Sequence, residues 1–90
     1  MRWTWDPDKA AANRKKHGVS FESAAFALDD PLQLNVPDPH EDGDRWRTTA
    51  HIGPVCLIIV HTVPDDELGG RIISARQATP RERKAYEEDF

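Results

Sequence analysis

The stretch from Arg71 to Tyr86, RIISARQATPRERKAY, constrains the chain most, because it reads as a strand running straight into a capped helix. Ile72 and Ile73 with the small Ser74 and Ala75 give a packable strand over Arg71 to Ala78, flanked by the charges of Arg71 and Arg76. Thr79 can cap the helix, Pro80 suits the first helical position where no amide donor is needed, and Glu82 can reach back to complete a capping box. Strand alternation puts Ile72, Ser74 and Arg76 on one face and Arg71, Ile73 and Ala75 on the other. Arg71 and Arg76 then cannot both meet one substrate unless a bulge intervenes. One of them is expected to be structural, with Arg76 favoured for a site because it lies nearest the corner, where Arg83 and Tyr86, three apart on one helical face, approach the same edge.

A second pattern fixes the sheet. The segments on either side of Gly53-Pro54 read as a hairpin in which Ile52 opposes Val55, Ala50 Leu57, Thr48 Ile59 and Trp46 His61 on a mostly apolar face. The other face pairs His51 with Cys56, Thr49 with Ile58, Arg47 with Val60 and Arg45 with Thr62. Helices are expected on the Trp46 face. The face with Arg45, Arg47 and His51 either stays open for a ligand or balances the acidic loop beside it.

Upstream, Arg2 to Trp5 suits a short first strand, and Asp6-Pro7 starts a helix that runs to about His17 and stops at Gly18. Lys9, Asn13, Lys16 and His17 share one side of it, as a solvated face or as a basic patch aimed at a phosphate. Ser20 caps a second helix whose Phe21, Ala24, Ala25 and Leu28 form a core stripe. Leu32, Leu34 and Val36 alternate as a half-buried strand would. Pro37 to Gly43 is a loop in which His40, Glu41 and Asp42, being adjacent, do not converge on one metal ion. Pro64 to Gly70 is an acidic connection into the last strand, giving a sequential sheet order. The acidic end beyond Tyr86 should fray.

The 90 residues suffice for one domain, spanning 1–90, and exclude two. The fold class is α+β: a small antiparallel sheet with two N-terminal helices and one C-terminal helix. The longest apolar run, Val55 to Val60, is far too short to span a bilayer, and the charged start lacks a secretory apolar stretch, so a cytoplasmic protein is expected. The one cysteine, Cys56, sits in that run and reads as a buried small hydrophobe rather than a catalytic thiol. Net charge is −4, but unevenly placed: residues 1–18 carry +3, residues 19–70 carry −8 and residues 71–90 carry +1. A phosphate-binding surface can therefore be built from both chain ends if the fold joins them, although the overall acidity counts against it.

There is no glycine-rich phosphate loop, no cysteine pairing with metal spacing and no GxSxG elbow, which removes nucleotide hydrolysis, a zinc site and an esterase triad. Arginine, lysine, histidine and one late tyrosine remain. Such groups bind a phosphodiester, stabilise its extra negative charge in the transition state and move a proton between the 2′-hydroxyl and the leaving oxygen. RNA supplies its own nucleophile, so neither a metal nor another cofactor is required.

The strings WDPDKAAANRKKHGVSFESAA, DRW and RIISARQATPRERKAY, in this order, resemble the BrnT family of bacterial type II toxins over nearly the whole chain. The resemblance implies a compact domain similar to the RelE-type endoribonuclease toxins, which cut RNA without a metal. It also implies a BrnA-like ribbon-helix-helix antitoxin that neutralises the toxin in a hetero-oligomer and carries it to operator DNA, with no membrane partner. The family's motif positions fall on Lys9, Asn13, Lys16, His17, Arg45, Arg71, Ser74, Arg76, Arg83 and Tyr86. Arg45 and Arg76 are the expected phosphate binders, with His17 or Tyr86 nearest the proton transfers, and Lys9, Lys16, Arg47, Arg71 and Arg83 as further RNA contacts. The acidity also motivates an alternative, a non-catalytic toxin-fold module that completes a ribbon-helix-helix partner's DNA-binding complex.

Overall fold

Alternating side chains on the two sides of Gly53-Pro54 close the hairpin in the expected register, and every other element is placed by which of its faces it covers. The computed structural model describes residues 2–38, 45–63 and 69–88. In chain order these form β1 (Trp3–Thr4), α1 (Pro7–His17), α2 (Phe21–Ala27), β2 (Leu34–Pro37), β3 (Arg45–Ile52), β4 (Val55–Thr62), β5 (Gly70–Gln77) and α3 (Pro80–Glu88). The strands make one sheet in the order β1-β5-β4-β3-β2. Strands β2 to β5 pair antiparallel in sequential order. The sheet as a whole is mixed, not purely antiparallel, because β1 lies parallel to β5, with Trp3 beside Gly70 and Thr4 beside Arg71. The two helices after β1 carry the chain away before the meander begins, and a parallel neighbour is what such a long connection permits.

Both N-terminal helices start and stop where the local chemistry dictates. The Asp6 carboxylate accepts the Asp8 amide proton at 2.8 Å, and Pro7 occupies the first turn. Gly18, at φ 71°, turns the chain out of α1 while its amide donates to the Arg14 carbonyl. Ser20 caps α2 through the Ser23 amide. Phe21, Ala24 and Leu28 are buried as the stripe predicts, with Ala27 also buried and Ala25 packed at the margin. They meet Ala50, Leu57, Ile59, Ile72 and Ala75, so the core lies between α2 and the sheet face that also carries Trp46.

Two expectations are corrected. The strand expected from Leu32 begins only at Leu34, and Leu32 and Val36 are exposed. The cause is Asp30, whose carboxylate accepts the Leu32 amide proton at 2.9 Å and holds the chain in a turn there. In α1, Asn13 does not join Lys9 and Lys16 on an outer face; it is buried. Its side chain donates to the Ala75 carbonyl at 2.8 Å and to the Val19 carbonyl at 3.0 Å, and accepts the Ala75 amide proton at 3.1 Å. Strand β1 reaches only as far as Arg71, so Asn13 serves the edge of β5 as a neighbouring strand would. The acidic stretches around Asp42 and Asp66, with the His40, Glu41 and Asp42 trio, lie outside the described residues.

Candidate functional site

Strand β5 pairs Ile58 with Arg76, Ile59 with Ala75 and Val60 with Ser74, but then His61 with Ile72, so Ile73 is left over as a bulge. That one residue changes the reading of Arg71. Continuing the register puts Arg71 opposite Thr62, whose hydroxyl accepts the Arg71 amide proton at 2.9 Å. Arg71 therefore shares a face with Ser74 and Arg76, while Ile72 joins Ala75 in the core. The expectation that Arg71 and Arg76 oppose each other holds for an unbroken strand and fails here.

The face away from α1 and α2 is thus a set of rows across β3, β4 and β5: Arg45, Thr62 and Arg71; Arg47, Val60 and Ser74; Thr49, Ile58 and Arg76; and His51 with Cys56. Helix α3 covers the last of these rows. Tyr86 stacks on His51 with ring centres 4.5 Å apart and planes 14° apart, and Cys56 and Ile58 are buried. The first two rows are more open: Arg47 and Arg71 are exposed, and Arg45 is half-buried. Outer strands of a three-strand row stand about 10 Å apart, a span that guanidinium arms from both sides can close on one phosphate.

Arg76 is present on this face but engaged. Its guanidinium makes a two-pronged bond to Glu82, at 2.7 and 2.9 Å, and Glu82 also accepts the Thr79 amide proton at 2.9 Å as the cap requires. The Arg76 hydrogen bonds, acting against burial and assisted by the Thr79 amide, hold the Glu82 carboxyl down at about 2. The same partner raises the Arg76 pKa. Arg83 is likewise paired, to Glu87 at 3.0 Å along α3. Among the described residues, the Arg47 and Arg71 side chains have no ion-pair partner.

Tyr86 is a strut. It is 4% exposed, and its hydroxyl donates to Asp30 at 2.5 Å. Burial and the Asp30 carboxylate push its pKa up to about 12, which keeps the phenol protonated and argues against a general base near neutrality. Burial would raise the Asp30 pKa, but the Tyr86 hydroxyl and the His51 and Leu32 amides outweigh it and hold the carboxyl below its usual value. Asp30 reads in the sequence only as a helix stop, and its role across 56 positions leaves no local signal. His51 Nε2 is buried without a hydrogen-bond partner among the described residues. His17 is half-buried at the end of α1, a helix whose Ala10 packs on the core, so it belongs to the sheet face opposite Arg45 and Arg47. Lys9 and Lys16 are exposed on the same helix. The structure therefore joins Arg45, Arg47, Arg71 and Arg76, leaves Lys9, Lys16 and His17 apart, and turns Tyr86 into the wall of the arginine strip.

A small α+β domain with an arginine strip on one sheet face, walled by a C-terminal helix, has the parts of a phosphodiester-binding protein. Residues 5–82 match the family model described as "Ribonuclease toxin, BrnT, of type II toxin-antitoxin system", and the chain belongs to that family. A type II system implies an antitoxin partner. Comparison with curated proteins finds no match. No helix among the described residues is long and apolar enough to cross a membrane.

Proposed function

We propose that the protein is a metal-independent endoribonuclease toxin of RelE-like type, acting in the cytoplasm. Its scissile phosphate would be held by Arg45, Arg47 and Arg71. The observation that carries this reading is the Ile73 bulge, which turns Arg71 toward the arginines of β3. The RNA 2′-hydroxyl gives its proton to water as it attacks the phosphorus, the P–O5′ bond breaks as the leaving oxygen takes a proton from water, a 2′,3′-cyclic phosphate forms, and the guanidinium groups stabilise the negative charge that builds on the equatorial oxygens. Arg76 positions the corner through Glu82 rather than meeting the phosphate first. With Tyr86 committed to Asp30 and His17 on the helix-covered side of the sheet, charge stabilisation carries more of the rate than side-chain proton transfer. A BrnA-like ribbon-helix-helix antitoxin would cover this strip in a hetero-oligomer and take the complex to operator DNA.

The test is cleavage of a fluorescent RNA in the presence of a chelator. Arg47→Ala or Arg71→Ala should lower the rate about 10²-fold with the fold intact, in line with the loss of one transition-state donor. Unchanged rates in both variants would sink the assignment. Expression without the partner should arrest growth and degrade messenger RNA.

A second reading is favoured by one observation, that Tyr86 and Arg76 are both tied up within the chain. It makes the protein a non-catalytic module that acts as co-repressor with its DNA-binding partner. Alanine at Arg45, Arg76 and His17 would then leave complex formation and operator binding intact, with no toxicity to lose.

A further inference from the structure

Strand β4 is apolar from Val55 to Val60 and ends on two polar side chains, His61 and Thr62, which fall on opposite faces of the sheet. His61 is buried against the Trp3 ring on the face that carries the core. Thr62 stands half-buried on the arginine strip, in the middle of the row it shares with Arg45 and Arg71. Its hydroxyl accepts the Arg71 amide proton at 2.9 Å. Its carbonyl lies 2.8 Å from Nδ1 of His61, a nitrogen that must carry a proton to meet it. Thr62 is thus held at two points, by the backbone of β5 and by the ring of its own neighbour.

The hydrogen-bond chemistry decides what the hydroxyl can still do. A threonine hydroxyl has one proton and two lone pairs. The Arg71 amide takes a lone pair, so the proton turns away from that amide, and among the described residues no group accepts it. The branch at Cβ stiffens the Thr62 side chain, and the amide bond sets the direction of its oxygen. Ser74 and Thr49 put hydroxyls on the same face further along the strip, but no hydrogen bond among the described residues orients either. Thr62 sits in the central strand, about 4.8 Å from the strand on each side, with an arginine arm on both. An anion drawn between those arms comes to rest above it.

We infer that the Thr62 hydroxyl is a substrate contact, donating its proton to a non-bridging oxygen of the phosphate held between Arg45 and Arg71. The guanidinium forks supply donors from the flanks and the hydroxyl supplies one from the floor, so the phosphate is met from three directions. A hydrogen bond to a charged oxygen is stronger than one between neutral groups. Because the Arg71 amide already orients the donor, little reorganisation is needed as charge builds on that oxygen. The same bond couples Thr62 to Arg71, so the two contacts keep a fixed relation to each other. The inference rests on the reading of the strip as a phosphodiester site, and adds to it an uncharged residue that the sequence marks only as the hairpin partner of Arg45.

The experiment titrates the full-length protein against a 5′-labelled 2′-O-methyl dinucleotide, which has a single internucleotide phosphate and cannot be cut, reading fluorescence anisotropy. Thr62→Val keeps the branched shape and removes the donor; Thr62→Ser keeps the donor; thermal melting checks the fold of both. Thr62→Val should weaken binding about tenfold, the size of one hydrogen bond to a charged group, and Thr62→Ser should restore it to within about twofold of the parent. Since Thr62→Val also removes the acceptor of the Arg71 amide, two readouts separate a lost donor from a displaced arginine. The salt dependence of binding should stay parental, whereas a displaced Arg71 would lower its slope as Arg71→Ala does. The ratio of affinities for the two phosphorothioate diastereomers, in which sulfur as a weak acceptor replaces one or the other non-bridging oxygen, should shift about threefold or more in Thr62→Val. No saturable binding by the parent, Thr62→Val within about twofold of it, a slope reduced to that of Arg71→Ala, or an unchanged diastereomer ratio would overturn the inference. A parent that shows these contrasts yet leaves cleavable RNA intact refutes the nuclease reading alone.

Discussion

Glu82 has two structural duties: it closes the cap of α3 and holds Arg76 at the sheet corner. Its carboxyl is held at about 2, below the ordinary 4.5. A depressed carboxylate contributes stability that is present in full above the ordinary value and lost as pH falls through the folded one, here from about 4.5 toward 2. The pair is partly exposed, so the contribution is on the order of 1–2 kcal/mol after solvent screening. Glu82→Gln should therefore lower the melting temperature at pH 7 and flatten its decline below pH 4.5. Melting curves from pH 7 to 2.5 check this. Tyr86→Phe, which deletes the bond to Asp30 but keeps the ring on His51, should cost about 1–2 kcal/mol in urea denaturation. If the arginine strip carries the chemistry, that variant still cleaves RNA at pH 7 within a few-fold of the parent rate. His61 moves the other way from a paired histidine: burial lowers its pKa below 6.5, so the folded state loses stability on acidification from that value downward.

At the scale of elements, β5 decides the face of every arginine near it. Deleting Ile73 would leave Ser74 opposite Val60, Ile72 opposite His61 and Arg71 opposite Thr62 in an unbroken register, so Arg71 would keep its face. The expected result is that RNA binding survives this deletion, whereas Arg71→Ala weakens it; a filter-binding comparison of the two variants checks it. Asn13→Ala is the corresponding test of α1. It strips partners from the Ala75 amide and two carbonyls, and should cost roughly 2–3 kcal/mol in chemical denaturation. Both N-terminal caps and the capping box at Thr79 were legible in the sequence because each joins residues at most three apart, and the hairpin because its alternation runs symmetrically outward from the two-residue turn. The bulge was not, since Ile73 has no turn residue or charge to mark it and only its pairing partner reveals it. Tyr86 misled for the same reason. Its spacing from Arg83 pointed to a site, whereas its partner lies on a turn that precedes the whole meander.

For the whole molecule, the net charge of −4 opposes RNA while one sheet face favours it. The balance gives a salt-sensitive interaction of limited strength: with about three phosphate contacts on single-stranded RNA, affinity should fall with a log–log slope near −2. Each of Arg47→Ala and Arg71→Ala should reduce that slope by about one contact, as titrations between 50 and 300 mM salt would register. A steeper slope would mean that exposed Lys9 and Lys16 join the contact, enlarging the footprint around the edge of β5.

Cys56 offers a way to watch this protein move. The thiol is the chain's only one, lies under α3 in the row of His51, and has its pKa raised by burial. In the closed state it should resist alkylation, so the rate at which a maleimide labels it counts the moments when the C-terminal helix lifts from the sheet. Mass spectrometry of the labelled fraction over time then yields the opening equilibrium of the strip's wall. A bound partner that clamps the helix would show as slower labelling, with no need to engineer a probe.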